Sequence, residues 1–123
     1  MIIAAGVVSM FFSCSKKSDN GGSSNRKIKY EITGSFSGKL DIVYTDNVNG
    51  NTALANVALP WTKEIEYGNN VITIGIGAQG SSAGIAGQTA IIKIYLNGKV
   101  VKTSSATVGS LGEILIPAIT YSF

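Results

Sequence analysis

Histidine is absent from the 123-residue sequence, and cysteine occurs only once, as Cys14. An internal disulfide needs two cysteines, and the common zinc and iron–sulfur sites need several His or Cys ligands, so the sequence excludes them. The many Ser and Thr hydroxyls also lack a histidine that would serve as general base. We therefore expect a protein that is not an enzyme and that uses neither a cofactor nor a metal.

Charged residues are also scarce, at 14 % of the chain, and the net charge is only +3. Four of the ten basic residues, Lys16, Lys17, Arg26 and Lys27, lie near the N-terminus, so the remainder is close to neutral. A nucleic-acid-binding domain concentrates basic residues on one face and interleaves them with aromatic side chains. The sequence has no such concentration, and we expect no nucleic-acid partner.

An apolar run, MIIAAGVVSMFF, occupies residues 1–12. It is shorter than the roughly 20 residues that span a bilayer as a helix, and it suits the apolar core of a secretion signal. The run ends in Phe11-Phe12-Ser13-Cys14, which resembles the lipobox of bacterial lipoproteins, although Phe11 departs from the usual Leu. We expect cleavage before Cys14 and a diacylglycerol on its thiol. The alternative is an apolar N-terminus with a stray buried cysteine.

A polar run, SKKSDNGGSSN, follows at residues 15–25. A chain of this composition behaves as a flexible coil with a reach of roughly 20 Å. The predicted organisation is a lipoprotein signal peptide at residues 1–13, a lipidated Cys14 with its tether at 14–26, and one domain at 27–123. The expected location is the cell envelope, anchored to the membrane through Cys14 and facing the periplasm or the cell surface.

Alternation of apolar and polar residues dominates the rest of the chain. Ile28, Tyr30 and Ile32 alternate with polar residues, which is typical of a half-buried strand. Turn formers separate such runs, and Asn97-Gly98 predicts a two-residue hairpin. No helical period reaches a dozen residues after the signal. The pattern predicts an all-β antiparallel sandwich or barrel of about seven to eight strands. The predicted strands are 27–33, 39–45, 52–59, 61–67, 71–78, 89–96, 99–103 and one within 112–123, interrupted by Pro117.

Two patterns resemble catalytic or cofactor motifs but have simpler explanations. Gly75, Gly77 and Gly80 match GxGxxG, yet no helix and no suitable carboxylate follows, so we interpret them as glycines on a crowded sheet face. Glu64 and Glu66 share one face of a strand, as paired glycosidase carboxylates would, but a solvated sheet face explains them. Asp41 and Asp46 lie in no dense acidic loop of the kind that calcium prefers.

Four residues are candidates for contact with a partner or ligand. Trp61, the only tryptophan, follows Leu59-Pro60 and forms either an exposed aromatic contact or a packing residue at the rim of the core. Gln79, Ser81 and Ser82 belong to a predicted small-residue loop at residues 79–87. An open sheet edge is a further candidate surface.

Several motifs in order resemble the MmpS family of transport accessory proteins, over about residues 28–120. The motifs are YEITG at 30–34, DIVY at 41–44, LPWTK at 59–63, AQ at 78–79 and IKIYLNGKVV at 92–101. The resemblance implies an immunoglobulin-like β-sandwich held at a membrane. It also implies partnership with transporters of the resistance–nodulation–division class, which export lipids or siderophores, and it implies no catalytic residues.

The sequence departs from that family in two respects. Family members are usually anchored in the membrane by a transmembrane helix, whereas this chain has the sequence pattern of a lipoprotein. Several members carry a cysteine where this chain has Ile92, paired with another near the C-terminus, and here both are absent. We expect a membrane-anchored, non-catalytic accessory or binding module, with an envelope transporter as partner. The alternative is a self-standing surface module that binds glycan or a host protein, which a sheet face bearing exposed aromatic side chains would favour.

Overall fold

The computed structural model describes residues 26–47 and 50–123, and the regular elements of these residues are strands. The expected signal peptide, Cys14 and the tether up to residue 25 lie outside the described residues. The all-β prediction is confirmed. The eight strands are β1 Lys27–Gly34, β2 Leu40–Asp46, β3 Gly50–Val57, β4 Trp61–Glu66, β5 Thr73–Gly80, β6 Thr89–Leu96, β7 Lys99–Thr107 and β8 Leu115–Ser122.

The strands form two four-stranded sheets, and every pair of neighbouring strands is antiparallel. Sheet I has the order β4-β1-β6-β7, and sheet II has the order β8-β5-β2-β3. The two sheets meet along one side, where the Ser104 hydroxyl on β7 donates to the Pro117 carbonyl on β8 at 2.7 Å. This arrangement is the predicted antiparallel sandwich.

The core between the sheets follows from the period-two pattern. On β1, Ile28, Tyr30 and Ile32 have no exposed surface, while their polar neighbours face outward. Each fully buried Ile contributes about 1.5–3 kcal/mol relative to an exposed one. The core therefore consists mainly of the apolar half of the alternating strands, completed by residues between them. Its other large members on strands are Leu40, Ile42, Tyr44, Ile74, Ile76, Ile92, Ile94 and Ile116, and those outside the strands are Phe36, Tyr67 and Ile114.

Two local predictions are confirmed in detail. Asn97 and Gly98 both have positive φ, 51° and 86°, which is the geometry that a two-residue hairpin between twisted strands requires. Pro117 lies within an irregularity of β8, where the register with β5 shifts between Ile116 and Ile119. Because proline has no N–H to donate, the strand bulges at this position and then resumes its pairing.

Two buried tyrosines tie the sheets together. The hydroxyls of Tyr30 and Tyr67 lie 2.7 Å apart, and each also lies within hydrogen-bond distance of the Thr45 carbonyl on β2, so their two protons are shared among these three oxygens. Burial, which disfavours the charged phenolate, raises the pKa of Tyr67 to about 12, and it raises the pKa of Tyr30 further. Both hydroxyls therefore stay protonated at neutral pH and keep these hydrogen bonds.

The sandwich has two distinct ends. The end where β1 begins, here called the tether end, holds Arg26, the loop 67–72 and the Asn97-Gly98 turn. The opposite end, here called the far end, holds the loops 35–39, 81–88 and 108–114. Since the chain that precedes residue 26 joins the domain at the tether end, the far end is the part of the domain most distant from it.

Candidate functional site

The loop after β5 is held to its neighbours by the candidate serines. The Ser81 hydroxyl donates to Asn56 Oδ1 at 2.8 Å, and the Ser82 hydroxyl accepts from the Lys39 N–H at 2.8 Å. Gln79 is the exposed penultimate residue of β5, so the strand extends further than predicted, to Gly80. These three residues lie together at the far end of sheet II, where the serine hydroxyls brace the loop against β2 and β3.

Trp61 lies elsewhere, on the other sheet. It is half-buried at the start of β4, and its ring centroid is 5.7 Å from that of Tyr44 in the core. This contact favours the packing interpretation of Trp61 over an exposed aromatic contact. Trp61 therefore does not share a surface with Gln79, Ser81 and Ser82.

The outer face of sheet II carries a trench along β5. The outward positions of β5 include Gly75 and Gly77, which have no side chain, while the neighbouring strands present Val43 and Leu115, exposed by 48 % and 69 %. Two cavities of about 350 and 400 Å³ both touch Val43, Gly77 and Ala118, so they form one continuous depression. We call this depression the sheet II trench, lined by Val43, Gly75, Gly77, Leu115, Pro117 and Ala118.

The two glycines also let β8 approach closely. A Cβ on Gly77 would lie 3.0 Å from the Ala118 Cβ, and one on Gly75 would lie 3.2 Å from the Ile119 carbonyl oxygen. Both distances are shorter than ordinary contact, so side chains at these positions would push the bulged strand away. This agrees with the interpretation of the glycine pattern as a crowded sheet face.

The trench is apolar in the middle and polar at both ends. Toward the far end it reaches Asp41 and Gln79, which oppose each other across β2 and β5. Toward the tether end it reaches Asn51, Thr73 and Thr120. An apolar chain with a polar group would find a matching surface along this face, because its apolar part is removed from water while its polar part stays solvated.

An exposed aliphatic side chain, Leu111, also lies at the far end. Leu111 is 85 % exposed and lines a cavity of about 230 Å³ with Ser81, Ser82 and Glu113. The Glu113 carboxylate accepts from the Leu111 N–H at 3.0 Å, which fixes the loop with this side chain in solvent. The far-end loops therefore present Leu111 next to the candidate serines.

The outer face of sheet I is charged. Glu64 and Glu66 on β4 oppose Lys29 and Lys27 on β1, and these side chains line a cavity of about 600 Å³. This placement is typical of a solvated strand face with paired charges of opposite sign. At the centre of the same face, Tyr95 donates to the Glu31 carboxylate at 2.7 Å, which raises the pKa of its hydroxyl.

Neither a metal cluster nor a spanning helix occurs in the described part of the chain. Residues 26–47 and 50–123 contain no group of three or more His, Cys, Asp or Glu side chains that would hold a metal ion. In the same residues, no helix has the length and apolar character needed to cross a bilayer.

The two outer faces of the sandwich differ in character, because the face of sheet II is apolar and the face of sheet I is charged. A family model described as Mycobacterium membrane protein matches residues 8–110 of the sequence, and the chain belongs to this family, the MmpS-like family. The resemblance inferred from the sequence motifs is therefore confirmed, and the chain is a member of a membrane protein family. No curated protein matches the sequence significantly.

Sequence reasoning missed most of the sheet II trench. Of its surroundings only Gln79 was a candidate, while Val43, Leu115 and Ala118 were not. The available signal was the alternation of Gly75 and Gly77 with Ile74 and Ile76, which marks a sheet face without side chains. Locating the walls requires the strand order of sheet II, because Val43 and Ala118 are distant from Gly77 along the chain.

Proposed function

We propose that the protein is a non-catalytic accessory module of the cell envelope, anchored to the membrane by a lipid on Cys14. In this proposal it binds an amphipathic cargo in the sheet II trench and assists an exporter of the resistance–nodulation–division class. The observation that carries the proposal is the continuous apolar trench, which runs along β5 between two polar ends. Membership in a membrane protein family supports a role at the envelope.

An acyl chain is the cargo that the trench favours. Its walls are aliphatic and its floor is glycine, so it offers apolar contact with few hydrogen-bonding groups. Each methylene group removed from water contributes about 0.8 kcal/mol. Four methylenes laid in the trench would contribute about 3 kcal/mol, which corresponds to roughly a hundredfold in affinity.

The lipid anchor would act by raising the effective concentration of the domain at the membrane. Several acyl chains on one cysteine give stable membrane attachment, and eleven residues between Cys14 and Arg26 can carry the domain at most about 40 Å from the surface. A cargo lipid and a membrane-embedded exporter would then both lie within reach of one tethered module. The exposed Leu111 and the far-end loops are the contact that we assign to the exporter.

Binding of glycan by a self-standing module gains no support from the described surface. That function calls for several exposed aromatic side chains on one sheet face, whereas Trp61 packs against Tyr44 and the outer face of sheet I presents Tyr95, whose hydroxyl is bonded to Glu31. The large apolar side chains that are exposed in the described residues are aliphatic, namely Val43, Ile72, Ile85, Val100, Leu111 and Leu115.

Val43→Asp tests the trench directly, because it places a charge on the trench wall. Val100→Asp is the matched control: Val100 is 42 % exposed on the charged face of sheet I, opposite Tyr95. We expect a fluorescent long-chain fatty acid to bind the native protein and Val100→Asp equally, and to bind Val43→Asp at least about tenfold more weakly. Equal binding by all three proteins, with native unfolding midpoints, would contradict the proposal.

The anchor and the partner have their own test. We expect mass spectrometry of the protein extracted from its native membrane to give a chain that begins at an acylated Cys14. Cross-linking in intact cells is expected to recover a transporter, and Leu111→Asp is expected to reduce that yield. An unmodified Cys14 would contradict the lipid anchor, and a yield unaffected by Leu111→Asp would contradict the assigned contact.

A further inference from the structure

The loop at the tether end displays one aliphatic side chain in solvent. Ile72 is 72 % exposed, although its alternate neighbours Ile74 and Ile76 are buried in the core. It lies just before β5 begins at Thr73, at the tether end of the sandwich. The residues before it, Gly-Asn-Asn-Val at 68–71, carry no charge.

This loop is held rigidly. The Phe123 N–H donates to the Ile72 carbonyl at 3.0 Å, and the Val71 N–H donates to the Gly68 carbonyl at 3.2 Å. The Asn47 amide bridges the preceding segment, since it donates to the Glu66 carbonyl and accepts from the Gly68 N–H. Exposure of Ile72 is therefore a property of an ordered loop, and little entropy would be lost when the side chain binds something.

The chain that precedes the domain enters beside this loop. The Arg26 guanidinium donates to the carbonyls of Gly68 and Val71, and it lies 4.4 Å from the centre of the Phe123 ring. The main-chain carbonyl of Arg26 accepts from the Tyr67 N–H at 3.0 Å. The polar residues 15–25 therefore join the domain next to Ile72.

The length of the polar run sets how far this end can lie from the anchor. Eleven residues span at most about 40 Å. With Cys14 in the membrane, the tether end is the end drawn toward the bilayer. The charges at this end nearly balance, with Arg26, Lys27 and Lys99 against Asp46 and Glu66, so charge attraction to a membrane surface is weak.

We propose that Ile72 inserts into the interfacial region of the lipid bilayer, so that the sandwich stands on its tether end. Tyr121 and Phe123 are half-buried at the same end, with ring centroids 5.5 Å apart, and aromatic side chains suit the boundary between water and lipid. In this orientation, Thr73 and Asn51 at the tether-end opening of the trench lie at the membrane surface. This inference rests on the proposed anchor and cargo, and it implies that an acyl chain enters the trench directly from the bilayer.

Fluorescence quenching by brominated lipid tests this orientation. In a Trp61→Phe background, the single tryptophan is moved to the tether end by Ile72→Trp or, as matched control, to the far end by Ile85→Trp. The mature lipidated proteins are reconstituted into vesicles of phosphatidylcholine and phosphatidylglycerol, with and without brominated phosphatidylcholine. We expect at least about twofold quenching and a blue shift for Ile72→Trp, and neither for Ile85→Trp.

Equal quenching at both positions, or none at Ile72→Trp, would overturn the proposal. Flotation of the protein with the vesicles reports the lipid anchor separately, so loss of the anchor is distinguished from a different orientation of an anchored domain. The protein with Trp61 in place gives a further measurement that needs no new tryptophan. Because Trp61 begins β4 at the far end, its emission is expected to be unchanged by brominated lipid, and strong quenching would contradict the orientation.

Discussion

Replacement of Gly77 by alanine places a methyl group between β5 and β8. The new Cβ would lie 3.0 Å from the Ala118 Cβ, whereas carbon atoms in ordinary contact lie about 3.5–4.0 Å apart. The strands must separate by about half an ångström to relieve this contact. Overpacking of this kind costs about 1–3 kcal/mol, and we expect Gly77→Ala to lower the free energy of unfolding by about 1–2 kcal/mol.

A double-mutant cycle isolates the contact responsible. In an Ala118→Gly background, the nearest atom to the new Cβ is the Ala118 Cα position, at 3.5 Å, which is an ordinary contact. Ala118→Gly alone should cost about 0.5–1 kcal/mol, because glycine in a strand loses more conformational freedom. In that background, the cost of Gly77→Ala should fall close to zero, which gives a coupling energy of about 1 kcal/mol or more.

Urea unfolding gives the stability of each of the four proteins in the cycle, and their unfolding midpoints are compared while the dependence of stability on urea concentration is the same for all of them. Gly75→Ala is the matched control, because its new Cβ would meet the Ile119 carbonyl oxygen and the Thr120 Cγ2, both at 3.2 Å. Ala118→Gly should leave the cost of Gly75→Ala unchanged. The same cost for Gly77→Ala in both backgrounds would refute the account of how β8 approaches the trench floor.

Other predictions concern the tyrosine pair and the hairpin. Tyr67→Phe should lower the free energy of unfolding by about 1–3 kcal/mol, because Tyr30 and the Thr45 carbonyl lose a partner in a buried site. Urea unfolding at pH 7 measures this loss, and a stability equal to that of the native protein within error would contradict the prediction. Burial raises the pKa of Tyr67 to about 12 in the folded protein, so its contribution to the free energy of unfolding is complete below pH 10 and should be lost as the pH rises from 10 through 12. Over that range the free energy of unfolding should therefore fall less for Tyr67→Phe than for the native protein, and parallel pH dependences of the two proteins would refute this. Gly98→Ala should lower the free energy of unfolding by about 1 kcal/mol because of the φ of +86° alone, since no atom lies within 4 Å of the added Cβ. Thermal unfolding measures this change, and an unchanged stability would contradict the requirement for glycine in the Asn97-Gly98 turn.

The strands were predictable wherever a strand has its own alternation of apolar and polar residues or its own turn residues. On β1, apolar and polar residues alternate without a break, and the hairpin before β7 is encoded in two adjacent residues, Asn97 and Gly98. The end of β7 was predicted at Thr103, yet the strand continues to Thr107. Residues Ser104 and Ser105 carry no alternation, and pairing with β6 rather than local pattern keeps them extended.

The trench was not predictable from any single segment. Val43, Gly77 and Ala118 belong to three strands, and they meet because β2 and β8 are the neighbours of β5 in sheet II. The register of β8 also changes at its bulge, so the sequence alone does not say which of its side chains face outward. Trp61 shows the opposite problem, since its residue type suggests a binding surface while its neighbours place it at the core.

Photo-cross-linking with a long-chain fatty acid that carries a diazirine on its alkyl chain is the most direct test of the central claim. The mature lipidated protein is labelled, digested and mapped by mass spectrometry. Labels are expected on β2, β5 and β8, around Val43, Gly77 and Ala118, and they should be displaced by an excess of unlabelled fatty acid. Labels confined to the charged face of sheet I, or no displaceable label at all, would contradict a cargo trench on sheet II.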